Sequence, residues 1–173
     1  GPALANTYLA LAEARVGQGR PADAVTAVQR ALETSRHENV LLPAARLFLT
    51  LERERDALAL ARELHARATE QARAYAGIVD AEIAMRQGEA AAAIDRLREI
   101  VERTDLWLAR FVLGTAYVHS ARYADAMGQF EMCGTRRGEA TILFRDDVPT
   151  IRYLAALEHW MARARSVRVQ ITG

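Results

Sequence analysis

The residues whose types could do chemistry are four histidines, one cysteine, an adjacent aspartate pair and an adjacent arginine pair. His37, His65, His119 and His159 lie far apart along the chain. A metal centre needs several ligands within about 2 Å of one ion. With one histidine per structural unit, the set reads as surface or half-buried side chains. Cys133 is the only cysteine. It can form no internal disulfide, and no histidine stands near it in sequence to make a nucleophilic pair, so it reads as a small buried thiol. Asp146-Asp147 precedes Val148-Pro149 and suits a helix cap, where carboxylates favour the positive end of the peptide dipoles. Arg136-Arg137 could grip a phosphate or carboxylate, with solvated loop charge as the plainer reading. A phosphate-cradling glycine loop, a zinc-protease helix signature and a nucleophile elbow are all missing. The expectation is a chain that is not an enzyme and holds no cofactor and no metal.

Bulk properties support that reading. The 173 residues are 51% hydrophobic but only 6% aromatic. Much of the apolar share is alanine, which forms helices well and lets them approach closely. The net charge is +1 from 23 basic and 22 acidic side chains, and every basic one is arginine. No strongly basic field exists to displace phosphate counterions, which argues against a nucleic-acid protein. No run of about 18 apolar residues is available to span a membrane, so no membrane insertion is expected. Gly1-Pro2 resembles the scar left by removal of a tag, so residues 1–3 are set aside from the fold.

Only 4 prolines and 10 glycines interrupt the chain, which predicts long helices and short turns. Helices are expected over 4–18 and 21–35 around a Gly19-Arg20-Pro21 turn, with proline harmless in a first turn. Asn39 can cap the third helix. The turn near 52–56 lacks glycine and is the least defined. The boundary between the fourth and fifth helices falls near Thr69. Gln87-Gly88 closes the fifth, and Thr104-Asp105 caps the seventh, which with the eighth spans 106–120 and 123–133. Residues 135–149 form a connection, with a helical turn over 139–144. A final helix over 150–168 carries Tyr153, Leu157, Trp160, Met161 and Ala164 at spacings of three and four. It should cover the last open core of the array. The tail covers 169–173, and the alternation of Val167, Val169 and Ile171 leading into it is strand-like.

One frame recurs. Leu113, Gly114 and Tyr117 are followed by Tyr123, Ala126 and Phe130. The same pattern fits Tyr8, Leu11, Ala12, Gly19, Ala24, Val28 and Ala31, then Ala45, Ala57 and Ala61, then Ala81, Gly88, Ala93 and Leu97. The small residues expected at the helix crossings, Ala24, Ala57, Ala93 and Ala126, are spaced by 33, 36 and 33 residues, close to a period of about 34. On these residues, about 4–165 resembles a tetratricopeptide repeat domain. The resemblance implies an all-α fold, a right-handed superhelical solenoid of antiparallel helix pairs: about four repeats over 4–134 plus a capping helix. Arg15 and Ala84 depart from it, standing where an aromatic is common. The stretch from Arg137 through Gly138, Glu139, Phe144, Asp146, Asp147, Val148, Pro149 and Tyr153 to Leu154 is similar to repeat regions attached to bacterial serine/threonine protein kinases of the eukaryotic type.

The resemblance further implies a groove on the concave face, lined by the first helix of each pair. One apolar stripe would be Leu9, Leu42, Ile78 and Phe111, and another Val16, Leu49, Met85 and Val118. Between them would run Glu13, Arg46, Glu82 and Thr115, with His119 and Arg86 at the edge. The basic clamp of some chaperone-binding members is not matched, since Leu9 and Glu13 replace its lysine and asparagine. The implied function is a non-catalytic scaffold binding a protein or peptide partner, as the docking or sensing arm of a bacterial signalling kinase. The alternatives are a self-association module, with a homodimer, or a small-ligand sensor. The kinase domain itself is not in this sequence, and the compartment stays open between a cytoplasmic location and, for a parent with a membrane segment, an extracytoplasmic one.

Overall fold

The computed structural model describes residues 1–136 and 154–172. Among them are nine helices: α1 Pro2–Gly17, α2 Pro21–Thr34, α3 Glu38–Thr50, α4 Glu54–His65, α5 Glu70–Arg86, α6 Ala90–Thr104, α7 Trp107–His119, α8 Tyr123–Thr135 and α9 Leu154–Thr172. No strand occurs among these residues. The fold class is all-α, built from consecutive helix pairs. The chain divides into two compact units, Gly1–Asp80 and Ala81–Gly173.

In the first unit α1 packs on α2 and α3 on α4, with α3 also against α1 and α2. In the second, α7 packs on both α6 and α8, and α9 lies mainly on α8. Small residues permit these approaches: Ala24, Ala57, Ala93 and Ala126 are all buried. Gly114 is the tightest case, because a Cβ there would stand 2.3 Å from the Phe130 ring. In the pair of α3 and α4, the equivalent stations hold Ala45 and Ala61, both fully buried. The second unit thus exchanges two alanines for a glycine and a phenylalanine.

All four hairpin turns use one device. Gly19, Glu52, Gly88 and Ala121 have left-handed φ values of 68°, 58°, 83° and 57°. At each turn the next residue's N–H reaches back five residues: Arg20 to the Arg15 carbonyl, Arg53 to Phe48, Glu89 to Ala84 and Arg122 to Tyr117, at 2.8–2.9 Å. This satisfies carbonyls left open at the helix end. The turn expected near 52–56 is therefore at Glu52, which adopts the glycine conformation without being glycine. The two non-glycine turns share a further brace. Arg53 lies over the Phe48 ring and pairs with Asp56, and Arg122 lies over Tyr117 and pairs with Asp125.

Several local expectations are corrected. Helix α1 starts at Pro2, inside the segment set aside as a tag scar. The N-cap of α3 is His37, whose Nδ1 accepts from the Asn39 N–H, so Asn39 lies inside the helix. Asp105 ends α6 with a left-handed φ of 48°, and Leu106 is the N-cap of α7. The longer 36-residue interval adds a turn to the start of α5, where eight residues precede Ile78, against four before Leu42 in α3 and four before Phe111 in α7. The strand-like tail is helical, since α9 continues to Thr172. Three alternating residues cannot outweigh the cooperative extension of an existing helix. The turn at 139–144, the Asp146-Asp147 cap and Tyr153 lie outside the described residues.

Candidate interaction surface

The implied groove residues divide by burial. Leu9, Leu42 and Ile78 have no exposed surface, and Phe111 has 3%. These four belong to the core and are not available to a partner, which corrects their placement as contact residues. Phe111 shows why: it stacks on Trp107 at 5.7 Å and meets Phe130 at 6.1 Å between ring centroids. Aromatic rings at such spacings are drawn inward by their large apolar area. Thr115 is also buried, and its hydroxyl donates to the Val112 carbonyl at 2.7 Å. Leu49 and Val118 of the second stripe are buried as well, while Val16 is half-buried.

What stays partly accessible is mostly polar, with Val16 and Met85 the apolar members. Glu13 and Arg46 in the first unit, and Glu82 and Met85 in the second, are half-buried, and His119 is exposed. His119 is fixed nonetheless. Its Nδ1 lies 2.8 Å from the Thr115 carbonyl, so that nitrogen is the donor, and its ring meets Trp160 of α9 at 5.6 Å. Arg163 covers Trp160 at 5.2 Å and His159 meets it edge-on at 6.1 Å. The helical spacing of Trp160 pointed to a capping helix, but no sequence signal marks its pairing with His119.

Two arginine-carboxylate clasps were also invisible in the sequence. In the first unit Arg36 holds Glu63 through two nitrogens, while Arg67 reaches both Glu63 and the Arg36 carbonyl. The hydrogen bond from Arg36 holds the Glu63 carboxyl below its usual range, against a smaller opposing effect of burial. In the second unit Arg136 bonds both the side chain and the carbonyl of Asp105 at 3.0 Å, and Arg110 joins the same carboxylate. Burial pushes Asp105 upward, and the hydrogen bonds and charges of Arg110 and Arg136 outweigh it, leaving the carboxyl lowered. Arg67 and Arg136 each reach the backbone carbonyl 31 residues earlier. Arg136 is therefore a staple within the fold. Arg137 lies outside the described residues.

Cys133 is buried, with its thiol 3.7 Å from the Trp107 carbonyl, and the Trp107 ring N–H donates to the Cys133 carbonyl at 3.0 Å. His65 Nε2 lies 2.8 Å from Asp80. Among the described residues, no three histidine, cysteine or carboxylate side chains converge as a metal site.

Helix pairs joined by left-handed turns, with small residues at each crossing, match known solved folds across almost the entire chain. A putative kinesin light chain of Podosopora anserina with nearly identical TPR-like repeats superposes with a TM-score of 0.52 at 17% identity, covering 98% of this chain and 89% of that one. A second structure of that protein, a single-substitution form, gives 0.55 at 18% identity, covering 98% and 88%. The fold is that of tetratricopeptide-like repeats. No family model matches the sequence, and no curated protein matches it significantly. In this chain the small crossing residues are buried with the first-helix residues of their own unit, Leu9, Leu42 and Ile78 in the first and Phe111 in the second.

Proposed function

We propose that this chain is a non-catalytic interaction scaffold whose repeats bind a protein segment, a peptide or an amphipathic helix, along the first helix of each pair. The observation that carries the reading is that, within each unit by itself, side chains on the first helices stay partly open beside the buried helix pairs: Glu13 and Arg46 in the first unit, and Glu82 and Met85, with exposed His119, in the second. A side chain partly open to water, on a rigid helix, can contact a partner at little conformational cost. Opposite charges in the first unit, and a carboxylate beside a methionine in the second, favour a partner with charge and an apolar face, as an amphipathic helix has. Similarity of 137–154 to repeat regions of bacterial kinases supports a docking or sensing arm of a signalling protein, on sequence alone.

The test is selection of a library of amphipathic helical peptides against the wild-type chain, followed by calorimetric titration of the winners. Glu82→Arg and Met85→Glu should each weaken binding about tenfold or more, about 1.4 kcal/mol, with helicity unchanged. Ligands indifferent to both substitutions would place recognition elsewhere.

A further inference from the structure

An arginine stacked on an aromatic ring recurs among the described residues, and at Arg53 and Arg122 a carboxylate completes the arrangement. Arg53 lies over Phe48 and its Nε donates to Asp56; Arg122 lies over Tyr117 and its Nε donates to Asp125. Each ring takes the flat face of the guanidinium, and each aspartate, three residues on, takes its N–H edge. Arg163 of α9 has only the first half of this arrangement, with its guanidinium 5.2 Å from the centre of the Trp160 ring. The residue three on is Ser166, whose hydroxyl turns back to the Arg163 carbonyl at 2.9 Å. Glu158 is five residues away, whereas neighbours on a helix face recur at three and four. Among the described residues the Arg163 guanidinium has no carboxylate partner. Its surroundings are basic. His119 of α7 meets the same indole at 5.6 Å and His159 meets it edge-on at 6.1 Å. Arg165 is exposed nearby, and α7 itself carries no acidic residue.

We propose that an acidic side chain of the bound partner, an aspartate or a glutamate, completes the arrangement at Arg163, so that the interaction surface runs from His119 of α7 onto α9. This subsite rests on the scaffold reading above and adds the charge that the partner carries. The indole holds the guanidinium before the partner arrives, so less freedom is lost on binding. The open N–H edge is a planar fork that matches a carboxylate with two parallel hydrogen bonds. Arginine and tryptophan are also the side chains that dominate the binding energy of protein interfaces. In Arg53 and Arg122 the chain supplies the carboxylate itself; at Arg163 the corresponding station is a serine, and the partner supplies it.

Calorimetric titration of amphipathic helical peptides selected from the library on the full wild-type chain tests it. The winning peptides should carry an aspartate or glutamate whose change to the neutral amide weakens binding about tenfold or more, and Arg163→Gln should weaken it equally. Both changes together should cost no more than either alone, as for two halves of one contact. Ser166→Asp gives Arg163 the internal carboxylate that Arg53 and Arg122 have. It should weaken the acidic peptides and leave their neutral-amide versions unaffected. Helicity should be unchanged in both variants, since both positions are exposed. Peptides that lose affinity with Glu82→Arg yet ignore Arg163→Gln and Ser166→Asp would overturn the subsite and leave the scaffold reading standing. A library that yields no binder would overturn both.

Discussion

Gly114 of α7 faces the Phe130 ring of α8 so closely that a single added methyl would stand 2.3 Å from a ring carbon. Phe130 is fully buried and cannot swing outward without opening the repeat core. Gly114→Ala should therefore destabilise by about 1–3 kcal/mol, as overpacking does, despite the better helix propensity of alanine. Phe130→Leu in the same chain should recover part of the loss. A double-mutant cycle by denaturant unfolding measures the coupling, and additive effects would mean that the helices part freely at this crossing.

Glu52 and Ala121 hold a left-handed backbone that glycine adopts at the two sister turns. Ala121→Gly should then stabilise by about 0.5–1 kcal/mol, the relief of a Cβ clash exceeding the added freedom of the unfolded chain. Glu52→Gly should behave alike. Arg122→Ala should act in the opposite direction, since it removes both the Tyr117 contact and the pairing with Asp125. Thermal melts of the three variants decide the matter.

The lowered carboxyls of Glu63 and Asp105 predict how stability depends on acid. A group whose pKa is depressed by folding contributes stability above its unfolded value, here the ordinary 4.5 and 3.8. That contribution is lost as pH falls through the lower folded value. The melting temperature should thus decline below about pH 4.5. Both carboxylates remain partly exposed, so the effect of each is modest. Arg36→Gln should flatten the part of the decline due to Glu63, as read from melts across an acid series.

Phe111→Glu places a charge among Trp107 and Phe130 and should unfold the second unit instead of merely blocking a partner. Even Phe111→Ala should cost about 3–5 kcal/mol. Trp160 is only half-buried, so Trp160→Ala should cost less, on the order of 1–2 kcal/mol from its lost apolar contact. Circular dichroism melts of both variants would check the ranking, and equal losses would contradict it.

The repeat fold was readable because its determinants are local and periodic. Ala24, Ala57, Ala93 and Ala126 mark the crossings by spacing alone, and all are buried. The candidate surface was less readable, because a periodic apolar stripe on a first helix looks alike whether it faces a partner or the next helix. Phe111 illustrates this, since only the stacking of Trp107 and the reach of Phe130 settle its side. The turn at Glu52 was obscure because its conformation is normally signalled by glycine. The clasps of Arg67 and Arg136 join residues 31 apart through long side chains, and no short motif encodes such a reach.

The placement of aromatic residues has an optical consequence. The chain has two tryptophans, and both belong to the second unit, Trp107 in its buried clasp with Cys133 and Trp160 against His119 and Arg163. Indole emission therefore watches only residues from 81 onward, whereas far-ultraviolet circular dichroism sums over all the helices. If the two halves melt together, the two signals will trace one curve. If they melt apart, the emission will stay silent while α1 to α4 unwind, and the gap between the curves will give the stability of the half that contains no tryptophan.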